Sequence, residues 1–356
     1  MSPMLNAARD AGIQALNRRC HPWTITVDDW FTPAEELRSL FAGIINCDKQ
    51  NIAIIPSASY GIAVAAKNIS LKTGEKIVVL NQQYPSNIYS WLELAKETSA
   101  EIITVYTKPG EAWTEAVLEN INTNTGLVAV PNCHWTNGTL LDLKRVSEKV
   151  KSVNAKLVID ASQSAGAYPL DIQQIKPDFL ITVGYKWLLG PYGLGYLYAG
   201  DEYCDNGKPI EHSWLPKKHS ENFTGLVDYT DEYKSGARRF DAGEYPSFHN
   251  IAMAFVALAQ IKQWGVGNIQ ETLQVLTDEI ERNATAAGLK VPARCNRVGH
   301  MMGVEFSAEQ ALRLSKKLSV NNVFVSFRGN NMRIAPHLFN TLDDIEKLFD
   351  IVNTIL

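Results

Sequence analysis

Asp160 and Lys186 are the two residues of this chain best placed to do chemistry. Both lie in residues 156–200, KLVIDASQSAGAYPLDIQQIKPDFLITVGYKWLLGPYGLGYLYAG. Two short apolar runs in this stretch, 157–159 and 179–183, are rich in β-formers and bounded by turn residues. They read as buried strands. The first ends in the Asp160 carboxylate, and the second leads into Gly184-Tyr185-Lys186-Trp187. In a parallel α/β sheet, ligands sit beyond the carboxyl ends of the strands. Asp160 and Lys186 are therefore expected at the same edge. A lysine between two aromatic residues, followed by Gly190, Gly193 and Gly195, is poorly hydrated. Desolvation makes a lysine amine nucleophilic, and such an amine forms Schiff bases with carbonyl groups. Taken singly, Asp160 reads as well as a turn cap and Lys186 as a surface charge. D-x-x-Q, a second strand, an aromatic-flanked lysine and a Gly-rich turn are together far more specific.

The elements that must position this pair follow the same pattern. Strands are expected at 51–56, 76–80, 101–106, 127–130 and 194–199, in addition to the two above. Most are separated by amphipathic or small-residue helices. Seven strands with helical crossovers make a doubly wound, mostly parallel α/β sheet. The last strand follows its predecessor too closely for a crossover, so it is expected to be antiparallel. After residues 51–56 the chain turns through Ser57-Ala58-Ser59-Tyr60-Gly61 into a helix, which leaves free N–H groups for an anion. Equally, Ser57 or Ser59 alone reads as an N-cap. Tyr84 and Asn132 fall past strand ends, as do His134 and Trp135. A helix over 30–45 is expected to start with Thr32 as N-cap and Pro33 in its first turn. Residues 200–246 form a long polar and aromatic segment, of the kind that is functional or an interface. The C-terminal part reads as α+β. The expected domains are 1–20, an N-terminal segment packing on the small domain; 21–246, the large domain; and 247–356, the small C-terminal domain.

The 356 residues, 46% hydrophobic and 20% charged with a formal net charge of -4, suit a soluble globular chain of more than one domain. No basic run points to nucleic acid, and no stretch is long and apolar enough for a membrane span. Five scattered cysteines with no C-x-x-C suit a reducing compartment and no zinc site. With no signal pattern at the N-terminus, the expected location is cytoplasmic.

From about residue 2 to the C-terminus, the chain resembles the class V aminotransferases, a branch of the fold-type I enzymes that use pyridoxal phosphate (PLP). That branch also includes cysteine desulfurases, kynureninases and isopenicillin-epimerase-like proteins. The resemblance implies a seven-stranded large domain with a smaller α+β domain, and PLP held as a Schiff base on Lys186. Asp160 matches the carboxylate that pairs with the cofactor's ring nitrogen. Gln163 matches the residue bonded to its phenolic oxygen. Tyr84 stands at the ring-stacking position and Asn132 along the other edge. Ser57, Ala58 and Ser59 match the phosphate turn, with Tyr185 contacting the phosphate as in kynureninase-like Y-K pairs. Arg333 matches the arginine that grips the substrate's carboxylate, with Arg328 a second candidate. His134, Trp135, Trp214, Arg238 and Arg239 are candidates for the substrate pocket. Glu244 stands where desulfurases place a threonine that reaches the partner subunit's phosphate, which argues against a phosphate role there. Desulfurases also carry a nucleophilic cysteine on a loop before the matched arginine. Only Gly329-Asn330-Asn331-Met332 separates Arg328 from Arg333 here, which argues against that activity.

The resulting expectation is a PLP-dependent aminotransferase acting on a small-molecule amino acid or amine, with no metal, as a homodimer with its active site near the interface. The alternative is a PLP lyase or hydrolase of the kynureninase or C–S lyase type, or an epimerase. A nicotinamide-binding Rossmann enzyme would need G-x-G-x-x-G in the first βα turn. The turn here is P-S-A-S-Y-G instead.

Overall fold

The computed structural model of the chain describes residues 1–108 and 110–356. They divide into two compact units: residues 1–132 with 142–264, and residues 133–141 with 265–356. In chain order the first unit contains α1 (Asn6–Arg19), α2 (Val27–Ile45), β1 (Ile52–Ile55), α3 (Ala58–Asn68), β2 (Lys76–Leu80) and α4 (Tyr89–Thr98). It continues with β3 (Glu101–Val105), α5 (Trp113–Glu119), β4 (Thr125–Pro131), α6 (Leu143–Ser152), β5 (Lys156–Asp160) and α7 (Ile172–Ile175). It closes with β6 (Phe179–Val183), β7 (Gly195–Ala199), α8 (Asp201–Asn206) and α9 (Phe248–Trp264). The second unit holds α10 (Val266–Ala286), β8 (Met302–Glu305), α11 (Ala308–Val320), β9 (Ser326–Arg328), β10 (Asn331–Ile334) and α12 (Leu342–Asn353).

Among the described residues the first unit carries a 7-stranded sheet in the order β1-β7-β6-β5-β4-β2-β3. Neighbours from β6 to β3 run parallel, and β7 is antiparallel to both β6 and β1. Every residue of β1, β4, β6 and β7 is buried. Strands covered on both faces read as unbroken apolar runs, which is why they are visible in the sequence. Burying an Ile or Val side chain in such a sheet contributes about 1.5–3 kcal/mol. The smaller sheet of the second unit runs β8-β10-β9, all antiparallel. Among the described residues, no helix is long and apolar enough to cross a membrane.

Three local features differ from the sequence expectation. Helix α2 begins at Val27, not near residue 30, because Asp29 closes the first turn by accepting the Thr26 N–H at 2.7 Å. Pro33 therefore lies inside the helix, and the Thr32 hydroxyl donates to Asp28 rather than capping. The stretch 6–19 folds as α1 without an apolar stripe. It buries only Ala8 and Gly12, and packs on α9 where a Cβ on Gly12 would come within 2.8 Å of Met253. Helix α9 belongs to the first unit, so the division falls after Trp264 rather than near residue 247, and residues 133–141 join the second unit.

The long 200–246 segment is anchored by buried charge. Arg38 on α2 is fully buried and donates to Asp241 through both terminal nitrogens, at 2.8 and 2.5 Å, and to the Ile52 carbonyl at 2.8 Å. Asp241 also accepts the Ile54 N–H at 2.8 Å, which ties the segment to β1. Burial pushes Asp241 upward against the pull of Arg38. Arginine holds its proton throughout, so the pair stays ionic. Removing one partner leaves an uncompensated buried charge, which costs about 3–5 kcal/mol. Asp241→Ala is therefore expected to lower stability by that amount in denaturant titration. Combining Arg38→Met with Asp241→Leu should recover most of the loss, and a single mutant as stable as the parent would contradict this account.

Arg238, considered above for the substrate pocket, has a structural role in this network. It donates to Glu35 at 2.8 Å and to the Ser235 carbonyl at 2.8 Å. Burial alone would raise Glu35, but the Arg238 hydrogen bonds and the charges of Arg38 and Arg238 hold it down at about 2. A carboxylate depressed in the folded state stabilises fully above its unfolded value of about 4.3 and loses that stabilisation as pH falls toward the folded value. Melting temperatures should therefore fall between about pH 4.5 and 2, with roughly 1–3 kcal/mol of the loss due to this group once its partial exposure is discounted. Glu35→Gln should flatten that part of the profile, and an unchanged slope would remove Glu35 from the explanation.

Candidate active site

The carboxyl ends of β4 and β5 lie in register, Pro131 opposite Asp160, and β6 runs two residues further, with Ile181 opposite Asp160. The first residues beyond these ends are Asn132, Ala161 and Gly184. The Asn132 N–H points to the Asp160 carbonyl at 3.4 Å. Asp160 is buried and accepts the Ser162 N–H at 2.9 Å, which fixes its rotamer at the sheet edge. Gln163 follows in the same turn. This turn meets the lysine turn at Gly166, whose φ is +95° and where a Cβ would lie 2.5 Å from the Trp187 carbonyl. Only glycine allows both the conformation and the approach.

Lys186 is half-buried, and its Nζ lies 5.2 Å from the centre of the Tyr84 ring. The Tyr185 and Tyr192 rings pack at 4.7 Å. Burial pushes the Tyr185 phenol up, with Tyr84, Tyr192 and Asp160 adding in the same direction. Tyr84 thus lies beside Lys186, and Tyr84 and Asp160 are both near enough to Tyr185 to act on its phenol. At the start of α3, Ser57 caps the helix by accepting the Tyr60 N–H, and its hydroxyl lies 2.9 Å from that of Ser59. The N–H groups of Ala58 and Ser59 precede the helical ladder, so they point out at the positive end of the helix.

His134, Trp135, Arg328 and Arg333 fall in the second unit. His134 is buried and shares a hydrogen bond with the Thr136 hydroxyl at 2.8 Å. Arg333 on β10 donates to the Ser326 hydroxyl at 3.1 Å and the Trp135 carbonyl at 2.8 Å. Among the described residues, no carboxylate pairs with it. Burial, with the charge of Arg328 beside it, pushes the Arg333 guanidinium down to about 10. Arg328 stacks over the Trp135 ring at 5.5 Å. The other two pocket candidates lie in the first unit: Trp214 packs among Trp30 and Phe223, and Arg239 donates to the Gly207 carbonyl. Gly329 and Asn330 alone turn β9 into β10.

This is the fold of a fold-type I PLP enzyme, with a carboxylate at one strand end, a lysine beyond the next and an aromatic ring beside the lysine. The chain belongs to the family Aminotransferase class-V, which it matches over residues 28–339. Pyridoxal phosphate is the cofactor of that family. An uncharacterized aminotransferase, YcbU of Bacillus subtilis (strain 168), is 27% identical over 316 residues, covering 89% of this chain and 82% of that protein. The apo cysteine desulfurase from Thermococcus onnurineus NA1 superposes with a TM-score of 0.83 at 19% identity, covering 99% of this chain and 94% of the other. The cystine C–S lyase C-DES, solved with its product cysteine persulfide, gives a TM-score of 0.87 at 17% identity, covering 98% of this chain and 94% of the other.

The side chains present suit the group. Among the described residues, Asn132 Oδ1 and Ser162 Oγ are buried without a hydrogen-bond partner, the first just past the strand beside Asp160 and the second two residues after it. Leaving a buried polar atom unsatisfied is costly, and a bound group that reaches it removes the cost. The sequence reading passed over Ser162. Its position inside D-x-x-Q was the available signal, but a serine there reads equally well as a turn residue.

Proposed function

We propose that this protein is a PLP-dependent enzyme that binds an amino acid by its carboxylate and transfers its amino group. The observation that carries this reading is Arg333, a largely buried guanidinium that is pushed down to about 10 and has no carboxylate partner among the described residues. A planar fork short of an anion is suited to bidentate carboxylate binding, and an incoming carboxylate relieves the cost of its burial.

When bound, the cofactor supplies an electron sink for the substrate's α-carbon. Lys186 holds it through Nζ and, as an amine during turnover, carries the proton to and from that carbon. Asp160 would pair with the ring nitrogen and keep it protonated. Tyr84 would stack on the ring, and Gln163 and Asn132 would bond its edge. Ser57, Ala58, Ser59 and Tyr185 would hold the phosphate. His134, Trp135 and Arg328 frame the substrate beside Arg333. The YcbU alignment, over 89% of this chain, supports transamination as the branch, since that relative is named an uncharacterized aminotransferase.

The desulfurase and lyase names among the structural neighbours keep sulfur removal as a second reading. Against a persulfide-forming cysteine stands the tight β9–β10 turn, which contains no cysteine. In addition, burial pushes Cys47 up to about 12 and Cys204 up to about 11, which makes both thiols poor nucleophiles. The deciding experiment mixes holoenzyme with each amino acid, with and without a keto-acid acceptor. The cofactor absorbance and the release of keto acid, ammonia and sulfide are followed. Keto acid formed only with an acceptor supports transamination. Sulfide from cysteine or cystine without an acceptor would replace it.

The same reading includes a homodimer, supported by the anchored 200–246 segment and its exposed Val227 and Tyr229. A monomeric mass in light scattering at micromolar concentration, with full cofactor occupancy, would count against it.

A further inference from the structure

The turn that carries Lys186 is held on its inner side by its own backbone. Gly184 N–H donates to Leu194 C=O at 2.8 Å, Gly190 N–H to Gly184 C=O at 2.9 Å, and Leu189 N–H to Lys186 C=O at 3.0 Å. Leu189 adopts a φ of +55°, a conformation a branched apolar residue takes only when its surroundings impose it. The carbonyl of Tyr185 stands outside this set. Among the described residues, its hydrogen bond comes from the backbone N–H of Ser2, 3.2 Å away. The Tyr185 carbonyl and the Lys186 N–H belong to one planar peptide unit. Fixing that carbonyl fixes the plane through which the chain enters the Lys186 Cα, and with it the direction of the side chain.

The chain that supplies this donor is itself anchored. Leu5 starts α1, Ala8 is completely buried, and Gly12 seats the helix against Met253 on α9. Residues 2–5 thus bridge a packed helix and the lysine turn. We propose that this segment is a strap that positions Lys186, with Ser2 acting through the Tyr185 peptide and not through ligand contact. The consequence for catalysis rests on the assignment of the cofactor to Lys186, but the geometry of the strap does not.

The test compares holoenzyme of the parent, Ser2→Pro and Ser2→Ala. Proline removes the N–H, whereas alanine keeps it. Hydrogen–deuterium exchange is read at the amides of residues 186–190, alongside the pH titration of the cofactor absorbance. Loss of one hydrogen bond at a turn should speed local exchange by about 3- to 10-fold in Ser2→Pro. It should also displace the absorbance titration, while Ser2→Ala behaves as the parent. Exchange within twofold of the parent and an unmoved titration in Ser2→Pro would overturn the strap. Equal changes in Ser2→Ala would overturn it too, because the N–H would then not be the cause. Exchange reports on the turn whichever lysine holds the cofactor, so failure of the strap is distinguishable from failure of the Lys186 assignment.

Discussion

Lys186→Ala should abolish turnover, with kcat lower by at least about 10³-fold, while the chain stays folded. The expectation follows from two jobs given to one nitrogen, covalent attachment of the cofactor and proton transfer at the substrate's α-carbon. Positioned acid–base groups alone contribute about 10²–10⁴-fold, and a covalent role adds to that. Fold retention follows from the surroundings. Lys186 is half-buried beside Tyr84. The lysine turn is held by backbone hydrogen bonds that do not use the side chain. Borohydride reduction of the parent holoenzyme followed by peptide mapping should put the adduct on Lys186, and the variant should take no label. Label on another lysine, or full activity in the variant, would reassign the catalytic amine.

Arg333→Ala is expected to lower kcat/KM by roughly thirty- to several-thousand-fold. This corresponds to the loss of a charge-assisted bidentate contact of about 2–5 kcal/mol in a partly desolvated site. The melting temperature should barely move. The partners of Arg333 are a neutral hydroxyl and a carbonyl, and its burial is already unfavourable to the charge. Arg333→Lys should be nearly as damaging as Arg333→Ala, because a point charge does not reproduce the fork. The decisive comparison uses the best amino acid from the screen and its decarboxylated amine. Only the amino acid should suffer. If both substrates lose equally, Arg333 does not read the carboxylate, and Arg328, which pairs with no acid among the described residues, becomes the next candidate.

What the sequence disclosed follows from burial. The strands of the central sheet are buried on both faces, so they read as apolar runs between turn residues, and their ends located Asp160, Asn132 and Lys186. Helix α1 was invisible because its contact is made by Ala8 and Gly12, small residues that leave no apolar periodicity. The start of α2 was misplaced because Thr32–Pro33 imitates a helix start, whereas the Thr26–Asp29 pair provides the actual one. Arg238 and Arg239 looked alike as neighbours on a polar loop. Only the fold brings Glu35 and Gln50 to Arg238, and the Gly207 carbonyl to Arg239. The Ser2–Tyr185 bond joins residues far apart in the chain through backbone atoms, which no side-chain pattern can signal.

The antiparallel insertion of β7 between β1 and β6 has a bearing on biosynthesis. Ile55 pairs with Gly195, so β1 emerges from the ribosome long before β7, its one sheet neighbour among the described residues, exists. At roughly 5–20 residues per second, that delay is on the order of ten seconds. For that time the apolar strand Ile52–Ile55 lacks its pairing partner, while the helix that follows it waits for β6, on which it packs. The nascent chain is then vulnerable to non-native association, and the serine turn after β1 and the lysine turn before β7 are brought to one sheet as it closes.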